Sequence, residues 1–205
     1  NGHPRVEEVM MGADSTARLA STFAPVANAV MKNKTARKVI ESVAGISADR
    51  KLPEFRRDTF VKQFARHKSS VRNASRKVAF FVDVYANYNA PELGMAAVRA
   101  LEATGCEIVV PEQKSSGYPY IAYGDLDRAR ETAAYNVARF APYIARGFDV
   151  VATEPTAAYA LKVSYPKLLK KSWKSCDVAE RTFVLFEYLL AIESSQNSPV
   201  SKTLE

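Results

Sequence analysis

The chain has 205 residues, 47% hydrophobic and 25% charged, which suits one or two compact domains and excludes a disordered polymer. Its 29 Lys and Arg outweigh 22 Asp and Glu, for a net charge of +7. Only two cysteines (Cys106, Cys176) and two histidines (His3, His67) occur, which excludes a disulfide framework and a local zinc motif and argues against a cysteine-ligated iron–sulfur cluster. In chain order, Val9, Met10, Ala13, Ala17 and Ala20 recur at helical steps and predict a helix from Val6 to Ala20. Pro25 opens a second, predicted to run to the stop at Gly45 with Val26, Val30, Ala36, Val39, Ile40 and Val43 on its apolar face. Between Asp49 and Lys77 ten Lys or Arg meet three acids, so this segment alone carries the whole +7. Thr59, Phe60 and Phe64 mark a short helix inside it, His67 reads as solvated, and 69–75 reads as linker.

From Lys77 the character changes to alternating strands and helices. KVAFFVDVYA, EIVVP and DVVATEP are strand-like, and the stretches after Pro91, Asp125 and Thr156 are helix-like. The expected fold is α/β, a small parallel sheet with flanking helices (β-α-β-α-β-α), preceded by a helical segment and followed by a C-terminal helix. That final helix is predicted from Asp177, with Ala179, Phe183, Phe186, Leu189 and Leu190 inward and a frayed tail from Ser194. The working division is 1–48 (helical), 49–76 (basic connection), 77–172 (α/β domain) and 173–205 (C-terminal helix and tail). The abrupt start at Asn1 and the Ser-rich end read as those of a piece of a longer protein. No apolar run reaches the ~18 to 20 residues of a membrane span.

Ligands of an open parallel sheet bind beyond the carboxyl ends of its strands. Here those ends carry Asp83, Val84, Tyr85 and Asn87, then Lys114, Ser115, Ser116, Gly117 and Tyr118, then Glu154, Thr156 and Ala157. Asp83, Tyr85, Asn87, Lys114, Ser115, Ser116, Gly117, Tyr118, Glu154 and Thr156 form a candidate polar pocket without a catalytic residue to name. Gly117 either cradles an anion or serves a turn that needs a positive φ. Glu154 is a base, a ligand or a helix-start carboxylate favoured by the dipole, and Asp83 pairs with a cation or caps a turn. Cys106 reads as a small buried hydrophobe and Cys176 as part of an exposed loop. The basic stretch 49–77 suits a partner subunit or an anionic membrane face, or is simply solvated; the helical spacing of Phe55, Phe60 and Phe64 disfavours nucleic acid.

The phrases GISADRKLPEFRRDTF, FFVDVYANYNAPELGMAAVRALEATGCEIVVPEQK, GYPYIAYGDLDRARETAAYNVARFAPYIARGFDVVATEPTAAYALKVSYPKLL and DVAERTFVLFEYL carry a resemblance over Val43 to Leu190. They resemble the cysteine-rich, CCG-type domain of iron–sulfur oxidoreductases, found in anaerobic glycerol-3-phosphate dehydrogenases and in heterodisulfide reductases. The family's signature is a Cys, a Cys-Cys-Gly and a Cys-x-x-Cys that bind a cluster. On this chain the frame falls without gaps on Val84, on Ser115-Ser116-Gly117 thirty residues later, and on Glu154 and Ala157 after thirty-six more. The resemblance thus implies a degenerate domain, with all five ligand positions, Val84, Ser115, Ser116, Glu154 and Ala157, filled by something other than cysteine. Replacement by design explains two serines but not Val84 or Glu154, whereas natural loss explains all five. The expected role is non-catalytic: no cofactor or metal in this fragment, iron–sulfur clusters elsewhere in the full-length protein, and other subunits or domains of an oxidoreductase complex as partners. It would be cytoplasmic, peripheral to the inner face of the membrane. The alternative is small-molecule binding or catalysis in a repurposed pocket.

Overall fold

A computed structural model describes residues 5–196 of the chain; His3 and the tail from Asn197 lie outside the described residues. The helical start comprises α1 (Arg5–Met11), α2 (Ala13–Thr22), α3 (Ala24–Lys32) and α4 (Lys34–Ala44), and α5 (Phe60–Arg66) follows in the basic stretch. The α/β part runs β1 (Arg76–Phe81), α6 (Pro91–Ala103), β2 (Cys106–Val109), α7 (Tyr118–Ala122), α8 (Leu126–Ile144), β3 (Asp149–Ala152), α9 (Pro155–Tyr159), α10 (Tyr165–Leu168), α11 (Trp173–Glu180), β4 (Thr182–Val184) and α12 (Leu185–Gln196). Wide π-type turns occupy Tyr85–Asn89 and Ala160–Ser164.

The sheet is four-stranded and parallel throughout, in the order β2-β1-β3-β4. Phe80 of β1 lies opposite Val151 of β3, and Val78 opposite Ile108 of β2. Strand alternation divides the core in two. Val78, Phe80 and Val82 face Phe60, Val98, Leu101 and Tyr188, and thus α5, α6 and α12. Ala79 and Phe81 face Val137, Phe140, Leu161 and Tyr165 on the α8 to α10 side. Both faces are buried, which is why these strands read as continuous apolar runs. The expected α/β parallel architecture is the observed one.

Several local expectations are corrected. The second predicted helix is two, because Asn33 leaves helical geometry and its Oδ1 accepts the Ala36 N–H as the cap of α4. The valines of its predicted apolar face, Val26, Val30, Val39 and Val43, are exposed and Ala36 and Ile40 are half-buried, whereas Arg37 and Ala44 are buried. Among the apolar residues these short helices bury are the small Ala17, Ala24 and Ala44, while the valines lie outside. The first predicted helix likewise divides at Gly12, with Met11 and Ala17 buried and Val9 and Met10 exposed.

The strand from Lys77 ends at Phe81, and the chain turns helical at Val84. The predicted C-terminal helix is interrupted by β4, whose β-branched Thr182 and Val184 pair with Val150 and Ala152. This shift of phase buries Leu185, Tyr188 and Ile192 and leaves Phe186 and Leu190 exposed. His67 is packed rather than solvated, its Nε2 lying 2.9 Å from the Glu102 carboxylate. Cys176 is half-buried within α11, not in a loop. Cys106 is buried in the core, as expected, and burial raises its thiol pKa.

Candidate functional site at the strand ends

The chain leaves β1 for β2 on one side and reaches β3 on the other, so the topological switch lies between β1 and β3. Their carboxyl ends deliver Asp83 and Glu154, and the loop after β2 delivers Ser115 to Gly117. A cavity of about 290 Å³ opens there. Asp83, Val84, Tyr85, Ser115, Ser116, Gly117, Tyr118, Glu154 and Thr156 line it, as do Met11, Ala13 and Asp14 from the N-terminal helices. Asn87 and Lys114 instead line an adjoining cleft of about 710 Å³. The Lys114 ammonium sits 4.9 Å from the Tyr135 ring centre, and Ala157 is buried in α9.

Backbone donors answer the carboxylates. Asp83 Oδ1 accepts the Val84 N–H at 2.9 Å and the Ser116 N–H at 3.2 Å, joining the first and second loops. Glu154 Oε1 accepts the Ala86 N–H at 3.0 Å, joining the third loop to the first. Glu154 stands at the start of α9 but makes no capping hydrogen bond to it, and its hydrogen bond to Ala86 ties the third loop to the first, a role the sequence did not suggest. Burial, followed by repulsion from Asp83, pushes its carboxyl up to about 7, partly offset by the Ala86 hydrogen bond. Burial and then Asp83 also raise Asp14, against the Ser115 amide.

The loop after β2 is held from beneath. Asn136 Oδ1 accepts the Lys114 N–H at 2.9 Å, and its Nδ2 donates to Ser115 O and to Tyr165 Oη. Tyr165 Oη donates to Ser116 O at 2.9 Å; burial drives its pKa well above the ordinary phenol value. Gln113 bridges back to β1, accepting from Val82 N and donating to Phe80 O. Gly117 adopts φ +65, the expected positive value, and a Cβ there would stand 2.9 Å from Thr132 Cγ2. A bulkier residue would therefore be both strained and crowded.

Sequence reading did not find Asp14, Gln113, Asn136 or Tyr165. Asn136 had a legible signal: it sits on the apolar stripe of α8 with Ala133, Val137 and Phe140, where a polar residue needs partners. Asp14 had none, since only the tertiary fold brings α2 over the strand ends.

The site does not offer the donors of a cysteine-ligated cluster. Val84 and Ala157 have no donor atom, and Ser115, Ser116 and Glu154 provide no sulfur. Cys106 starts β2, at the opposite edge of the sheet, and Cys176 lies on α11. Among the described residues no group of three or more His, Cys, Asp or Glu is arranged to hold a metal ion. Nor is any described helix long and apolar enough to cross a membrane.

No family model matches the chain. No solved structure matches it. It is 30% identical over 163 residues to the subunit designated C of anaerobic glycerol-3-phosphate dehydrogenase from two Escherichia coli strains, covering 78% of this chain and 41% of that protein. It is 31% identical over 98 residues to the subunit designated B of fumarate reductase (CoM/CoB) from Methanothermobacter marburgensis, covering 47% of this chain and 19% of that one. The chain thus spans about two fifths of the length of the glycerol-3-phosphate dehydrogenase subunits it matches.

Proposed function

We propose, from the homology of this chain with subunits of anaerobic glycerol-3-phosphate dehydrogenase and of fumarate reductase (CoM/CoB), that it is part of an iron–sulfur oxidoreductase subunit whose CCG-type domain carries no cluster. The α/β unit has a structural role, keeping neighbouring domains or subunits in register for electron transfer. Both relatives are named as subunits, which supports partner subunits for this chain. Clusters, if the complex uses them, belong to other parts of the full-length protein or to its partners, on the cytoplasmic side of the membrane.

One observation carries the reading. The three loops that would supply thiolates are tied to one another by Asp83 and Glu154 through backbone N–H groups, a job that needs no metal. Hydrogen bonds donated by buried amides to a carboxylate hold a loop well, and an unanswered buried amide is costly. The test is anaerobic reconstitution with iron and sulfide, followed by iron analysis and a visible spectrum. The reading expects no stoichiometric iron and no broad charge-transfer absorption; stoichiometric iron in a well-folded sample overturns it.

A second reading has its own support in the cavity of about 290 Å³, where the Glu154 carboxyl, raised to about 7, could exchange a proton near neutral pH. In that reading the cavity takes a small polar molecule. Thermal stabilisation by an organic acid or polyol, lost in Glu154→Gln, is the expected outcome, and a flat response across such compounds contradicts it.

A further inference from the structure

The basic segment doubles back on the helices before it. With α3 and α4 it encloses a cavity of about 500 Å³, remote in sequence from the strand-end loops. Lys32, Lys34, Arg37, Lys38, Arg50 and Lys51 line this cavity, against Asp49 and Glu54 alone. Glu54 is already engaged: Lys32 Nζ lies 2.7 Å from its Oε1, and that hydrogen bond and charge hold its carboxyl below the ordinary value. The enclosing segment is fastened at both ends. Arg37 Nη2 donates to Ser47 O at 2.5 Å and Arg50 O at 3.1 Å, and the Asn28 amide both donates to Phe55 O and accepts from Phe55 N at 2.9 Å.

Arg37 is the unusual member. It is only 5% exposed, and its Nη1 is shut off from water with no hydrogen-bond partner. Among the described residues no carboxylate forms an ion pair with it. A buried cation with a spare donor is unfavourable unless an anion meets it, and in so poorly hydrated a place its field is little screened. The surrounding ammonium and guanidinium groups are exposed, so water and salt weaken their mutual repulsion, but their charge still adds to that of Arg37. A carboxylate monoanion would answer little of this surplus, whereas a tetrahedral dianion matches several donors at once.

We propose that this cavity binds a phosphate group, with Arg37 as its buried anchor and Lys34, Lys38 and Arg50 as its rim. The inference is independent of the iron–sulfur reading, since no strand-end residue takes part. A soluble phosphomonoester and the headgroup of an acidic phospholipid present the same chemistry, and the experiment separates them.

Titration calorimetry of the whole chain with inorganic phosphate at low ionic strength should give saturable binding. Arg37→Gln should weaken it by about tenfold or more. Because Arg37 also fastens the segment, the exposed pair Lys34→Gln with Lys38→Gln is the second variant, expected to weaken binding several-fold while folding normally. Asp49→Asn, which removes a competing negative charge, should strengthen it. Flotation with phosphatidylcholine vesicles containing phosphatidic acid identifies the source: binding that Lys34→Gln with Lys38→Gln abolishes assigns the phosphate to a lipid. Binding of inorganic phosphate without flotation assigns it to a soluble ligand. No saturable phosphate binding, or equal affinity in the parent and the double lysine variant, overturns the proposal.

Discussion

The cavity at the strand ends and the cavity beside Arg37 hold charge of opposite sign, and the fold answers that charge differently. At the strand ends Asp83 and Glu154 take backbone N–H groups from neighbouring loops, so each carboxylate is used to shape the protein. At Arg37, Nη2 donates to two carbonyls while Nη1 has no hydrogen-bond partner. Asp83 and Glu154 thus each hold loops together through one carboxylate oxygen, whereas the buried Nη1 of Arg37 has no hydrogen-bond partner within the protein. Two polar, charged cavities in one chain therefore need not share a function.

The largest effect that can break this contrast is expected at Asp83. Asp83→Ala strands the Val84 amide and the buried Ser116 amide, and should cost about 2 to 4 kcal/mol in urea unfolding. Asp83→Asn keeps an oxygen acceptor and should cost clearly less. Equal losses in the two variants would mean that the negative charge, and not the hydrogen bonds, holds the loops.

Glu154 gives the next effect, and its sign is unusual for an acid. Its folded pKa of about 7 lies above the ordinary value of 4.5, so the native state binds the proton more tightly than the unfolded chain. The contribution is therefore fully present below about pH 4.5 and is lost as pH rises through about 7. The size is roughly 3 kcal/mol. Glu154→Gln, which keeps the oxygen that accepts from Ala86, should flatten this part of the stability–pH curve and stabilise the protein at pH 8. A parent curve that rises from pH 5 to 8, with the same shape in the variant, would show that Glu154 is not held in a buried, repulsive place.

Gly117 gives the smallest of the three. Gly117→Ala must bear φ +65 and a contact 2.9 Å from Thr132 Cγ2, and should cost about 1 to 2 kcal/mol. A neutral result would show that the loop shifts freely and that the carboxylate ties do not fix it.

The parallel sheet was legible because its strands are buried on both faces and bounded by helices with clear caps, such as Asp125 before α8. Asp83, Glu154 and Ser115 to Gly117 were legible for the same reason, since topology alone puts strand ends together. What periodicity could not supply was phase. Phe183 and Phe186 share a helical spacing with Leu189 and Leu190, yet β4 intervenes and sends Phe186 to solvent. The valines of α3 and α4 suggested a buried stripe, but they are exposed, while Arg37 is buried with partners from a loop farther along the chain. The correction at His67 and the failure to find Asp14 have the same origin, in contacts between segments distant in sequence.

In the proposed function, Val84, Ser115, Ser116, Glu154 and Ala157 stand at the ligand positions of a cluster site without its sulfur donors. The most direct measurement is iron content after anaerobic reconstitution, run side by side on the parent chain and on a variant carrying Val84→Cys, Ser115→Cys, Ser116→Cys, Glu154→Cys and Ala157→Cys. Stoichiometric iron with visible charge-transfer absorption is expected in the variant, and neither in the parent. Iron in the parent, or none in a variant with native circular dichroism, would contradict the proposed function.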